Sequence, residues 1–160
     1  MCIRDRNYRR LTRIPTPIRT QISVAELFTD LKKLFPEEEF QFEAPSPELK
    51  LNADRTQIEQ VLINLLKNAR EACNRKLDKN IQVKVKKLSA GNTALTISDN
   101  GEGILPDVLD KIFVPFFTTK TSGSGIGLSL CKQIMTLHEG SINVKSEVGK
   151  GSSFILTFPK

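Results

Sequence analysis

The sequence predicts an α+β fold: a two-layer α/β sandwich with a mixed, mainly antiparallel sheet and helices on one face. Apolar residues recur at helical spacing in three separated stretches, 24–35, 55–75 and 126–139. Alternating apolar and polar residues between and after them read as two β-hairpins and a lone strand. With 160 residues and 39% hydrophobic content, the chain is sized for one core.

Each element has its own local signal. Pro15 and Pro17 block helix continuation and mark a linker. Ser23 followed by Glu26 forms a capping box ahead of Val24, Leu27, Leu31, Leu34 and Phe35, a helix that Pro36 stops. Glu39 to Glu43 alternates as a half-buried strand, and Pro45 and Pro47 turn the chain. Asp54 with Gln57 opens the clearest helix, whose Ile58, Val61, Leu62, Leu65, Leu66, Ala69, Ala72 and Cys73 share one face. Ile81, Val83 and Val85, a Gly91-Asn92 turn and Ala94 to Ile97 make a hairpin that delivers Asp99 at its end. Gly140 ends the third helix, and Ile142–Lys145 and Ser153–Phe158 pair around Gly149-Lys150-Gly151.

Charge excludes one class of partner. Residues 1–20 hold Arg4, Arg6, Arg9, Arg10, Arg13 and Arg19 against Asp5, so the net +6 leaves +1 for the other 140 residues. With no Trp and Tyr8 as the single tyrosine, the folded part lacks a basic, aromatic surface, and no nucleic-acid partner is expected. Cys2, Cys73 and Cys131 have no C-x-x-C spacing and read as small hydrophobes in a reducing compartment. No apolar run reaches the roughly 20 residues that span a bilayer, so a cytoplasmic domain is expected. One codon string that encodes the opening Met-Cys-Ile-Arg-Asp-Arg resembles a common sequencing-library adapter. Residues 1–6 are therefore expected to be non-native, 7–20 to be the end of an upstream helix and its linker, and 21–160 to be the domain itself.

Three stretches carry chemistry. Asn64 and Asn68 lie one turn apart at the edge of the apolar stripe of the long helix. They mark a polar flank, or one supplies an amide oxygen to Mg²⁺, which takes one or two protein oxygens beside phosphate and water. Asp99-Asn100-Gly101-Glu102-Gly103-Ile104 follows a strand directly. It is a turn, or a site where a carboxylate accepts from the exocyclic amine of adenine while the glycines let backbone come close. Gly123-Ser124-Gly125-Ile126-Gly127-Leu128 opens a helix whose free N–H groups can face phosphate. A dinucleotide fingerprint would need Gly at 128, where Leu stands, and no G-x-x-x-x-G-K-[ST] occurs. Lys120, ending Phe116-Phe117-Thr118-Thr119-Lys120, is a solvated charge or a point charge for a terminal phosphate.

In this order and spacing, these segments resemble the ATP-binding catalytic domain of bacterial sensor histidine kinases. The resemblance covers residues 7–160 and includes Gln60 to Ala69, Asp99 to Ile104, Ile112 to Lys120, Gly123 to Leu130 and Gly149 to Phe154. The short stretch from Lys120 to Gly123 and the Pro15-Thr16-Pro17 linker look like the nitrogen-regulation class. The resemblance implies the Bergerat-type sandwich shared with type II topoisomerases and mismatch-repair ATPases, with ATP and Mg²⁺ as cofactors. It makes Asn68 the metal ligand, Asn64 its phosphate-side neighbour, Asp99 the adenine anchor, and Gly101, Gly103 and Ile104 the turn against the ring. Gly123, Gly125, Ile126, Gly127 and Leu128 become the lid and phosphate loop, with Lys120 beside them. Ser152 stands where the family usually has Thr near the adenine.

The implied activity is donation of the γ-phosphoryl group to a histidine on a separate helical hairpin. The implied partners are that upstream dimerisation and phosphoacceptor domain and a response regulator receiver domain, in a homodimeric parent that is free to be membrane-anchored. ATP-hydrolysing relatives commonly carry Glu one turn before the metal asparagine; here Asn64, an amide, cannot take a proton. A regulatory nucleotide-binding module, and an ATPase or anti-sigma serine kinase of the same fold, remain the alternatives. The single histidine, His138, is expected to bond the last helical carbonyls rather than accept phosphate.

Overall fold

A computed structural model describes residues 14–43, 45–115 and 127–160. Helices α1 (Val24–Leu34), α2 (Arg55–Ala72) and α4 (Gly127–Leu137) cover one face of a five-stranded sheet, and α3 (Pro106–Leu109) is a single short turn. The sheet runs in the order β2 (Phe40–Phe42), β4 (Ile81–Lys87), β5 (Thr93–Asp99), β7 (Gly151–Phe158), β6 (Ser141–Glu147). Only the β2–β4 pairing is parallel, so the sheet is mixed and mainly antiparallel as expected. No helix among the described residues is long and apolar enough to cross a membrane.

Two strands were not anticipated. β1 (Thr20–Ser23) and β3 (Lys50–Ala53) pair antiparallel as a separate ribbon. Each has four residues and barely one alternation, too little for a period to register. Ser23, which ends β1, is also the N-cap of α1 and accepts from Glu26 N–H at 3.3 Å. The short α3 was not expected either, and the other differences lie at element ends: α2 stops at Ala72 rather than 75, where Cys73 caps it.

The core lies between the layers. Ile58, Val61, Leu62, Leu65, Leu66 and Ala69 of α2 face Ile81, Val83, Leu95, Ile97, Phe154 and Leu156 of the sheet, all buried. Each large aliphatic contributes about 1.5–3 kcal/mol by leaving water, which fixes the rotation of α2 about its own axis.

The C-terminal end of α4 shows where every terminal carbonyl goes. Ile134 O accepts from His138 Nδ1 at 2.8 Å, Met135 O from Gly140 N–H at 2.9 Å, and Thr136 O from Glu139 N–H at 2.9 Å. Leu137 O accepts from the Arg19 guanidinium at 2.9 Å. The left-handed residue is Glu139, φ 60°, one position before the glycine expected to end the helix. Gly140 is needed instead for close approach, since a Cβ there would lie 2.3 Å from Thr157 O.

His138 is 2% exposed, and its Nε2 accepts from Asp54 N–H at 3.0 Å. Nδ1 therefore carries the ring hydrogen and donates it to Ile134 O. Asp54 in turn caps α2, accepting from Gln57 N–H at 3.2 Å, and holds the incoming chain by accepting from Ile18 N–H at 2.9 Å. Gln57 donates to Pro15 O at 2.7 Å.

Burial alone would raise the Asp54 carboxyl, but N–H groups of Ile18, Gln57 and Thr56 outweigh it and hold the carboxyl below the ordinary range. A depressed carboxylate stabilises the fold above its unfolded pKa, and that contribution is lost as pH falls through the folded value. Asp54→Ala is expected to cost about 1–2 kcal/mol at pH 7. The gap to wild type should close as the pH drops below about 4, read as urea midpoints across pH.

Candidate functional site

Fixed rotation of α2 places Asn64 and Asn68 on its flank, both half-buried. Asn64 Nδ2 donates to Cys131 Sγ at 3.9 Å, and a Cβ built on Gly127 would lie 3.9 Å from Asn64 Cγ. The Asn64 amide thus faces the first turn of α4. Burial pushes the Cys131 thiol up to about 12, so it stays protonated and inert at neutral pH. Leu128 packs half-buried against the core beside this turn.

Asp99 ends β5 on the side of the sheet that faces the helices, in phase with Leu95 and Ile97. Its carboxylate accepts from Gly101 N–H at 2.8 Å and from Ser152 N–H. Among the described residues it has no ion pair. Burial raises the Asp99 carboxyl above its usual range, and the two N–H donors only partly oppose this.

The loop after Asp99 is tied down at several points. Asn100 accepts from Asn80 N–H at 2.9 Å and donates to Asp78 O at 2.8 Å, pinning the segment that follows α2. Glu102 N–H donates to Ala72 O at 3.2 Å, and Glu102 O accepts from Gly149 N–H at 2.8 Å. Gly101 is compelled by packing as well as by any ligand: a Cβ there would sit 2.5 Å from Ala72 O. Gly103, φ 78°, lies against Glu147 O, and Ile104 packs half-buried on the core with its N–H on Ser146 Oγ at 2.7 Å.

Ser152 is buried beside Asp99 at the start of β7. Gly151, φ 129°, makes that pairing possible, because a Cβ would lie 2.0 Å from Asp99 O. The structure thus gathers Asp99, Gly101, Gly103, Ile104 and Ser152 at one end of the sheet, and separately sets Asn64 against Gly127. Lys120, Gly123, Gly125 and Ile126 lie outside the described residues.

Sequence reading missed Gly151 and Ser146. A signal existed for Ser146: Ile142 and Val144 set an apolar phase on β6 that breaks to serine at 146. The same break occurs at Asp99 on β5 and at Ser152 on β7.

A mixed sheet covered by helices on one face and ending there in a half-buried carboxylate fits one class. The chain belongs to the histidine kinase-, DNA gyrase B- and HSP90-like ATPases, whose family model matches residues 53–160. Within that class it is an ATP-binding catalytic domain of the histidine kinase type. The catalytic domain of histidine kinase ThkA, in a nucleotide-free form, is 36% identical with a TM-score of 0.77 over 89% of this chain and 95% of that one. Sensor histidine kinase ZraS of Salmonella typhimurium is 41% identical over 110 residues, 69% of this chain and 23% of that protein. AtoS, a signal transduction histidine-protein kinase of Escherichia coli, is 43% identical over 109 residues, 68% and 18% respectively. The chain therefore spans less than a quarter of the length of these curated relatives.

A carboxyl raised by folding stabilises the protein below its unfolded pKa, and that contribution is lost as pH rises through the raised folded value. At neutral pH the ionised Asp99 therefore burdens the empty domain. Asp99→Asn is expected to melt at or above the wild-type temperature at pH 7.5 without nucleotide, with the difference shrinking below about pH 4. A variant clearly less stable than wild type at pH 7.5 would show that the carboxylate is structural.

Proposed function

We propose that this domain binds Mg-ATP between Asn68 and Asp99 and donates the γ-phosphoryl group to a histidine on a separate helical-hairpin domain. The observation that carries the reading is the half-buried Asp99 carboxylate, which has N–H donors on its protein side and, among the described residues, no ion pair. Such a group fits the exocyclic amine of adenine, and its desolvation is offset only when a donor arrives.

Bound Mg-ATP would supply the transferable phosphoryl group and the metal charge that neutralises it. Among the described residues no cluster of three or more His, Cys, Asp or Glu could hold a metal. Asn68 Oδ1 would be the protein ligand to Mg²⁺, which needs only one or two protein oxygens. In this reading Asn64 lines the phosphate side at the first turn of α4, and Gly101, Gly103 and Ile104 form the wall against the ring. Lys120, Gly123, Gly125, Ile126, Gly127 and Leu128 are the residues proposed for the phosphate side, as the resemblance implies. Asn64 cannot act as a base toward water, which favours transfer over hydrolysis.

The burial of His138 and the use of both its ring nitrogens support a structural role for it rather than that of acceptor. The acceptor histidine is proposed to lie on an upstream dimerisation domain of a homodimeric parent, with residues 7–20 as the end of its helix and the linker. Histidine kinase ThkA, 33% identical with a TM-score of 0.73 over 89% of this chain and 42% of that one, has been solved in complex with response regulator protein TrrA. A receiver domain is accordingly the proposed next carrier of the phosphoryl group in cytoplasmic two-component signalling.

Mg-ATP at a hundredfold excess over Kd should stabilise the domain by about 2.7 kcal/mol, and Asp99→Asn and Asn68→Ala should lose the shift. Among the described residues a Cβ at Gly127 meets only ordinary contact with Asn64, so nucleotide-free Gly127→Ala should melt at or slightly above wild type while ATP affinity falls at least about tenfold. With γ-labelled ATP and a hairpin domain added in trans, label should appear on the hairpin histidine, equally for wild type and His138→Gln. Undiminished thermal shifts in both site variants would refute the assignment.

A further inference from the structure

Asp99, Ser152 and Ser146 stand side by side across three adjacent strands. Asp99 pairs in register with Ser152, and Ser152 with Ser146. The next pairs along the same face are Ile97 with Phe154 and Val144 with Phe154, so this row is where the apolar layer gives way to polar groups.

The Ser146 hydroxyl has three partners. It accepts from Ile104 N–H at 2.7 Å, donates to Gly151 O at 3.1 Å, and lies 2.8 Å from Ser152 Oγ. A serine hydroxyl holds one hydrogen and two lone pairs. The Gly151 carbonyl can only accept, so it takes the Ser146 hydrogen, while Ile104 N–H takes one lone pair. The remaining lone pair is satisfied only if Ser152 donates. One arrangement therefore serves all three contacts, and in it the Ser152 hydrogen is committed to Ser146. What Ser152 has left to offer a ligand is lone pairs.

We infer that Ser146 is a positioning residue that locks Ser152 as a hydrogen-bond acceptor and thereby enforces preference for a 6-amino over a 6-oxo purine. The inference rests on the adenine site proposed above. The ionised Asp99 carboxylate is also acceptor-only, so the base edge, directly or through a water, meets two acceptors. Adenine presents a 6-amino donor there, whereas guanine and hypoxanthine present a 6-oxo acceptor and set lone pair against lone pair. A Ser152 hydroxyl freed from Ser146 could turn and donate to the 6-oxo group, which would soften the discrimination. The Ile104 contact adds a second effect: it holds the loop after Asp99 down on β6.

The test compares Mg-ATP and Mg-ITP, which differ at the 6-position and the adjoining ring nitrogen, by calorimetric Kd. The proteins are wild type, Ser146→Ala, Ser146→Thr and Ser146→Val, with melting curves on each. Wild type should prefer ATP. Ser146→Ala and Ser146→Val should narrow the ATP-over-ITP ratio about tenfold, whereas Ser146→Thr, isosteric with Val but keeping the hydroxyl, should retain it. Ser152→Ala should narrow the ratio as much, and adding Ser146→Ala to it should change the ratio no further. A purely structural Ser146 would weaken both nucleotides alike and leave the ratio intact. That result, in a wild type that does prefer ATP, overturns the inference alone. Equal binding of both nucleotides by wild type, or binding of neither, overturns the adenine site and the inference together.

Discussion

The side chains of Ile58, Val61, Leu62, Leu65, Leu66 and Ala69 have one dry surface available to them, the inner face of the sheet, and rotating α2 by a single 100° step would return several of them to water. That packing decides where the polar flank of the helix must lie, and so where Asn64 and Asn68 lie. The same helix organises its surroundings through its ends. At one end Asp54 binds the incoming chain and, through its N–H, the buried His138 at the close of α4. At the other, Ala72 O receives Glu102 N–H and stands against Gly101, which sets the height of the loop that follows Asp99.

The sheet answers with a change of chemistry at one end. β5, β7 and β6 each keep an apolar phase toward the helices until the last core-facing position, where Asp99, Ser152 and Ser146 replace it. Burying a carboxylate without a counter-charge opposes stability, and the strands come close enough for Ser152 N–H to reach it only because Gly151 has no Cβ. Natural folds tolerate such conflicts between local preference and packing mainly at functional sites. Here the conflict falls where the proposed adenine pocket needs an unpaired acceptor.

Local signals made most of the architecture readable from the sequence. The caps at Ser23 and Asp54, the stripe of α2, the Gly91-Asn92 turn and the alternation of β4 to β7 each depend on residues within a few positions of one another. β1 and β3 depend on a partner about 30 residues away and are too short to show a period, so they were invisible. The left-handed residue at Glu139 escaped because Gly140 is there for Thr157, a contact across the fold. In the candidate site, Asp99 and the glycines after it were legible as a motif. Ser146 was legible only as a break in a strand's period, and its meaning required the register that sets it beside Ser152. The Asn64 contact with the start of α4 joins elements that no local pattern connects.

The central claim is that α2 and the polar end of the sheet form two ends of one Mg-nucleotide site, metal toward Asn68 and base toward Asp99. Paramagnetic broadening on titrating the domain with Mn²⁺-ATP in place of Mg²⁺-ATP tests this most directly. The account predicts that the side-chain amide signals of Asn68 and then Asn64 broaden first. The backbone amides of Gly101 and Ser152 should shift with nucleotide binding but broaden less. Broadening centred away from α2, or Gly101 and Ser152 signals that do not move at saturating nucleotide, would contradict it.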